Sequence, residues 1–148
     1  TGVLPAGETG SVVEEVPDGD TVVVTRRGGE RVRCRLHGVD APEGDQPYGR
    51  EARQVLRGLV DGREVGVEVA YYDQHGRAVV DLSLPDGRDL GQVLVGAGAA
   101  WWYEYYVPDD QVLAGLEAEA RAAKRGLWAG GGSPEPPWDY RQRRPRRD

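Results

Sequence analysis

The sequence predicts an α+β, mainly β domain: a closed five-stranded Greek-key β-barrel of the OB type carrying three helices. Two observations carry that expectation. Five short stretches alternate apolar and polar residues with the period of a half-buried strand, and a strongly amphipathic helical stretch stands after the third of them. A length of 148 residues suits one such domain with a single core.

The first strand is expected from Ser11 to Val16, and Pro17-Asp18-Gly19-Asp20 is a turn sequence leading into the β-branched run Thr21 to Thr25. Gly28-Gly29 makes the next turn. Arg31 to His37 then alternates cleanly, with Val32, Cys34 and Leu36 on one face and Arg31, Arg33, Arg35 and His37 on the other. Cys34 reads as a small core residue, and Gly38 is placed to bend the strand end and re-aim Asp40. From Tyr48 to Val60 the period becomes helical: Ala52, Val55, Leu56, Leu59 and Val60 form one apolar stripe, with Glu51, Arg53, Gln54 and Arg57 outside it. Glu64 to Ala70 and Ala78 to Leu84 alternate again and supply strands four and five. A short helix is expected from about Asp89 to Ala97, ended by Gly98. The last helix should run from about Asp110 to Lys124, with Asp109 or Asp110 as N-cap and Gly126 just past its end.

Domain organisation follows from composition. Residues 1–10 read as an N-terminal extension and 11–128 as the barrel domain. Residues 129–148, opening on Ala-Gly-Gly-Gly-Ser-Pro-Glu-Pro-Pro and containing five arginines, read as a flexible basic tail. That tail is either a solvated terminus or an electrostatic arm for an anionic surface.

Composition excludes several classes. No run approaches the roughly 18 apolar residues of a membrane span. The single cysteine rules out an intrachain disulfide framework and a cysteine-based zinc site, and two histidines make a histidine-rich zinc site a poor expectation. The formal charge of −6 argues weakly against general nucleic-acid binding. Phe, Met, Ile and Asn are missing while Gly, Ala, Val and Arg abound, the bias expected of a bacterial genome rich in G and C. The chain opens on Thr1, so a processed form is expected, with any targeting segment out of view.

Three acidic residues stand where chemistry could be built. Asp20 starts the second strand, and Asp40 and Glu43 lie just past the third. If those strands are neighbours, a strand start and a strand end lie side by side, so Asp20 and Asp40 can meet; two such carboxylates repel unless a cation stands between them. All-oxygen ligation selects a hard cation, Ca²⁺ or Mg²⁺.

Five motifs occur in order along the chain: Asp18-Gly19-Asp20-Thr21; Arg35-Leu36-His37-Gly38-Val39-Asp40-Ala41-Pro42-Glu43; Tyr48-Gly49-Arg50-Glu51-Ala52; His75-Gly76-Arg77; and Ala123-Lys124-Arg125-Gly126-Leu127-Trp128. In this the chain resembles the thermonuclease family, the staphylococcal-nuclease-like domains, from about Ser11 to Trp128. The resemblance implies an OB-type barrel and a Ca²⁺-dependent nuclease that hydrolyses DNA and RNA, leaving 3′-phosphate ends. It implies Asp20 and Asp40 as carboxylate ligands of one Ca²⁺ (Mg²⁺ a possible substitute), with the Ala41 carbonyl as a third ligand. It further implies Glu43 as general base on the attacking water, and Arg35 and Arg77 as the groups gripping the phosphate. Two guanidiniums and a divalent cation are complementary to the charge that grows on the phosphoryl oxygens.

The chain departs from the family pattern at the nucleotide. Gln74 and His75 replace a Lys-Tyr pair that helps bind a terminal phosphate. Of two tyrosines that flank the nucleotide, Tyr106 matches the second position and Glu104 stands at the first, where Trp102, Tyr103 or Tyr105 could substitute. Family habit and weak Ca²⁺ ligation imply a monomer acting in a secreted or cell-surface setting. On this reading Glu43→Ala and Arg35→Ala each abolish most hydrolysis and leave the fold intact. The alternative is a non-catalytic OB-fold nucleic-acid-binding or scaffold domain, which would bind without turnover.

Overall fold

The computed structural model describes residues 8–130 and 132–144. Its strands are β1 (Glu8–Asp18), β2 (Thr21–Thr25), β3 (Arg31–Leu36), β4 (Val39–Asp40), β5 (Glu64–Tyr72), β6 (Ala78–Ser83) and β7 (Trp101–Trp102). Five of them close a barrel in the order β1-β2-β3-β6-β5, while β4 and β7 pair separately as a two-stranded antiparallel ladder. All barrel pairings are antiparallel except β3 with β6, which run parallel through Cys34↔Ala78, Arg35↔Val79 and Leu36↔Val80. The mainly β, α+β barrel expected from the alternation is the observed fold.

Closure depends on β1 serving two neighbours. Its first part pairs with β5 and its last part with β2, and the register shifts along it mark where the strand bends between them. Pairing through Glu8↔Val67 brings residues 8–10, expected in an extension, into the barrel. The expected alternation of β3 is realised: Val32, Cys34 and Leu36 are buried and Arg31 and Arg33 exposed. Cys34 lies wholly inside, and burial pushes its thiol up to about 12.

Helix α1 (Gly49–Val60) caps the barrel with the stripe read from its period. Ala52, Leu56 and Val60 are fully buried, and Val55 and Leu59 pack beside them. Burying a Leu or Val side chain of this kind contributes about 1.5–3 kcal/mol. Helices α2 (Leu90–Gly96) and α3 (Gln111–Ala122) begin at aspartates: Asp89 accepts from the Gln92 N–H at 3.0 Å, and Asp110, of the two candidate caps, accepts from the Leu113 N–H at 2.9 Å. A single 3₁₀ turn, Gly126–Trp128, follows α3 and buries Leu127 and Trp128.

The segment expected as a flexible tail contains a fourth helix, α4 (Pro137–Arg143). Pro137 sits at its first turn, where a missing N–H costs nothing. The Trp138 ring stacks on Tyr103 at 5.4 Å between centroids and meets Trp101 edge-on, Tyr140 is buried, and the Gln46 amide donates to the Glu135 carbonyl at 2.6 Å. Apolar burial and that hydrogen bond dock the segment, which the Gly/Pro composition before it concealed; residues 131 and 145–148 of the tail, like 1–7 of the extension, lie outside the described residues. Among the described residues no helix is long and apolar enough to cross a membrane.

Candidate active site

The register of β2 against β3 sets up the site. Thr21 pairs with Arg35, and the Leu36 N–H donates to the Asp20 carbonyl at 2.9 Å, so the start of one strand lies beside the end of the next. Gly38, at φ 77°, turns the chain after β3 in a conformation that a side chain would strain. The chain then enters β4, where Asp40 pairs with Trp101. The outcome is that Asp20 and Asp40 both face the Arg35 guanidinium. Arg35 Nη2 lies 3.3 Å from Asp40 Oδ1 and 3.6 Å from Asp20 Oδ2, and Nη1 donates to the carbonyls of Leu36 at 2.6 Å and Val39 at 2.7 Å.

Asp20 is further fixed by accepting from the Ala41 N–H at 2.9 Å and the Thr21 hydroxyl at 3.1 Å. Glu43 follows on a short turn in which its N–H donates to Gln46 Oε1 at 3.0 Å and its carbonyl accepts from the Gln46 N–H at 2.9 Å. That turn lies directly against Gly49 at the start of α1: a Cβ there would stand 3.0 Å from the carbonyl carbons of Glu43 and Gly44, and closer still to the Glu43 oxygen. The absence of a side chain at Gly49 therefore lets the helix support the Glu43 backbone.

Arg77 and His75 come from the β5–β6 hairpin. Asp73 organises it, accepting from the backbone N–H of His75 at 2.9 Å and of Arg77 at 2.8 Å and from Arg77 Nε at 2.7 Å. Burial pushes the Asp73 carboxyl up, but the hydrogen bonds from Arg77 and from the His75 backbone, with the Arg77 charge, together outweigh it and hold the carboxyl below its ordinary range. Both residues line a cavity of about 760 Å³ that also takes in Asp20, Arg35, Asp40 and Glu43. Tyr106 lines it too, exposed and stacked on Tyr103 at 4.5 Å. Trp102 does not line it. Its indole N–H donates to the Val107 carbonyl at 2.9 Å and its ring packs at the core edge, so it braces the loop that carries Tyr103 and Tyr106.

Another basic group completes the cavity. From α4, Arg141 reaches both oxygens of Asp40, at 3.2 Å (Nη1–Oδ1) and 2.8 Å (Nη2–Oδ2), and Glu43 Oε2 at 3.2 Å. The Asp40 side chain is 0% exposed. Burial pushes its carboxyl up to about 6, against the hydrogen bonds and charge of Arg141 and the charge of Arg35, with Asp20 pushing the same way as burial. Burial also works against the Arg141 charge, but Asp40 and Glu43 more than offset it and hold the guanidinium protonated. Desolvation and then the neighbouring Asp20 raise the Asp18 carboxyl, which lines the same cavity.

The oxygen donors suit a hard cation in kind, with two carboxylates facing one point and the Ala41 carbonyl next in sequence. Among the described residues no group of three or more His, Cys, Asp or Glu side chains is gathered as a metal cage. A cation here would thus be held by two carboxylates, a carbonyl and water.

Comparison with known proteins identifies the family. Residues 33–130, which contain Arg35, Asp40, Glu43 and Arg77, match the family model of the staphylococcal nuclease homologue. The chain belongs to that family. An Escherichia coli protein named an uncharacterized endonuclease is 44% identical over 142 residues, covering 96% of this chain and 90% of the relative, a share that carries the match into α4. A Shigella flexneri micrococcal nuclease is 36% identical over 140 residues, 88% of this chain and 79% of the relative. A staphylococcal-like nuclease of Arabidopsis thaliana is 39% identical over 113 residues, 76% of this chain but 34% of that longer protein.

Within this staphylococcal nuclease homologue domain, sequence reasoning missed Arg141 and the supporting role of Gly49. A signal for Arg141 existed: Pro136-Pro137-Trp138 is a plausible helix start, and an aromatic beside arginines is uncommon in a purely solvated tail. Gly49 had none, because only the approach of a distant backbone makes its lack of a side chain matter.

Proposed function

We propose that this chain is a divalent-cation-dependent phosphodiesterase that hydrolyses DNA and RNA, with Ca²⁺ as the working ion and 3′-phosphate ends as products. The observation that carries this reading is the convergence of Asp20, Asp40, Glu43, Arg35 and Arg77 on one cavity. Family membership and the nuclease names of the relatives support it.

Asp20 and Asp40, with the Ala41 carbonyl, would hold the cation. The chemistry a cation supplies there is Lewis-acid polarisation of a phosphoryl oxygen and neutralisation of its growing charge. Glu43, about one-third exposed at 37%, can reach a water in the cavity and take its proton as the oxygen attacks phosphorus in line. Arg35 and Arg77 donate N–H bonds to the equatorial oxygens, where negative charge accumulates. The bond to the 5′ oxygen then breaks, that oxygen leaves as a hydroxyl with a proton taken from solvent water, and the phosphate stays on the 3′ side. His75 and Tyr106, at the cavity wall, would contact the nucleotide beyond the scissile bond, Tyr106 by stacking. Trp102 is proposed to act through the loop it braces. The reading takes the protein as a monomer working outside the cell, where calcium is abundant.

The test is turnover of supercoiled plasmid and of single-stranded RNA by the wild type and Glu43→Gln, in Ca²⁺, Mg²⁺ or chelator. Glu43→Gln should lose at least about a hundredfold in rate with its circular dichroism unchanged. Full turnover in chelator, or full activity of Glu43→Gln, would overturn the assignment. Binding without turnover under every condition would instead favour a non-catalytic OB-fold domain.

A further inference from the structure

The contact between α4 and the carboxylates has a chemical logic of its own. Asp40 has no exposed side-chain surface, and both of its oxygens are engaged: Oδ1 by Arg35 and Arg141, Oδ2 by Arg141. Asp20 offers little more, since Oδ2 takes the Ala41 N–H and faces Arg35 while Oδ1 takes the Thr21 hydroxyl. A hard cation needs carboxylate lone pairs aimed at it and room for water around it. Arg35 belongs to the barrel and is tied to two carbonyls, so it stays. Arg141 alone among the groups on Asp40 arrives on a separate, peripheral element.

We propose that α4 is a built-in latch on this site: Arg141 neutralises Asp40 and Glu43, and a divalent cation binds by displacing it. The latch rests on the reading of Asp40 as a cation ligand. It ties up the candidate base as well, because Arg141 Nη1 also lies 3.2 Å from Glu43 Oε2. The element suits release. Helix α4 has seven residues, too few to persist alone in water, and is held by its docking contacts: Trp138 on Tyr103 and Trp101, the buried Tyr140, the Gln46 amide on the Glu135 carbonyl, and Arg144 on Asp45 at 2.6 Å. Lifting α4 would uncover Asp40 and Glu43 and free one face of the Tyr103 ring beside Tyr106, so a single movement opens the carboxylates and an aromatic surface together. A bound ion and a closed latch exclude each other, so whatever weakens the latch must tighten ion binding.

The experiment is calorimetric titration of Ca²⁺, without nucleic acid, into the full chain and two variants. Arg141→Gln removes the competing guanidinium; Trp138→Ala loosens α4 without changing any charge. If the latch is closed nine-tenths of the time, each should bind Ca²⁺ about tenfold more tightly than the wild type. Trypsin should also cut after Arg141 faster in Ca²⁺ than in chelator. Unchanged affinity in Trp138→Ala alongside tighter binding by Arg141→Gln would mean that only the charge matters, and would overturn the latch. Equal affinity in all three proteins, or cleavage indifferent to Ca²⁺, would overturn it while leaving the cation reading standing. No Ca²⁺ binding by any of the three would overturn the cation reading and the latch with it.

Discussion

Replacing Gly49 with alanine sets two effects of opposite sign against each other. On helix propensity alone the change should stabilise the protein, since alanine is favoured over glycine in a helix by up to about 1 kcal/mol. The structure predicts the reverse. The new Cβ would be 3.0 Å from the carbonyl carbons of Glu43 and Gly44 and inside van der Waals contact of the Glu43 oxygen. These are backbone atoms, so no rotamer change relieves the clash, and the Glu43 turn must retreat by roughly 1 Å at a cost of about 1–3 kcal/mol, as for an overpacked core. The Gln46 hydrogen bonds that shape the turn would be distorted with it. Misplacing a reacting group by about 1 Å costs on the order of a hundredfold in rate. Thermal unfolding should therefore show a lower midpoint, and plasmid turnover should fall far more than the loss of folded protein explains. A Gly49→Ala protein at least as stable as the wild type, with unchanged turnover, would refute the claim that α1 positions Glu43 by backbone contact.

Arg35→Met should be costly to the fold as well as to activity. Its removal leaves two carbonyls without a donor and strips a counter-charge from the buried Asp40, for a loss of about 3 kcal/mol or more, readable in urea denaturation. The sequence expectation that Arg35→Ala leaves the fold intact is thus replaced by a prediction of marked destabilisation. Arg77→Ala should behave differently: the side chain is 42% exposed and bonded mainly to Asp73, so stability should change by less than about 1 kcal/mol while turnover falls about a hundredfold. Cys34 should resist a thiol reagent at pH 8 in the native protein and react at once in denaturant, because the thiol is buried and its ionisation pushed up to about 12. Rapid native labelling would contradict that burial.

The parts of this protein legible in its residues are those governed by local periodicity. Alternation in Arg31–His37 placed Cys34 inside, the 3.6-residue stripe from Ala52 to Val60 placed α1 on the barrel, and the turn before Asp20 together with Gly38 before Asp40 brought the two acids to one end of neighbouring strands. Each rule couples residues a few positions apart, and a regular backbone repeats it. What depended on tertiary structure couples residues far apart in sequence. The pairing of Asp40 with Trp101, the approach of Gly49 to the Glu43 carbonyl and the reach of Arg141 across 101 positions to Asp40 obey no period. They arise because a buried charge must find a partner and an apolar ring a neighbour wherever the closed barrel brings one near. Arginines in a Gly/Pro-rich segment look solvated until Trp138 and Tyr140 find surfaces to cover. The charge of −6 is likewise a sum over the whole chain, and only the fold decides that Asp20, Asp40 and Glu43 share one cavity with Arg35, Arg77 and Arg141.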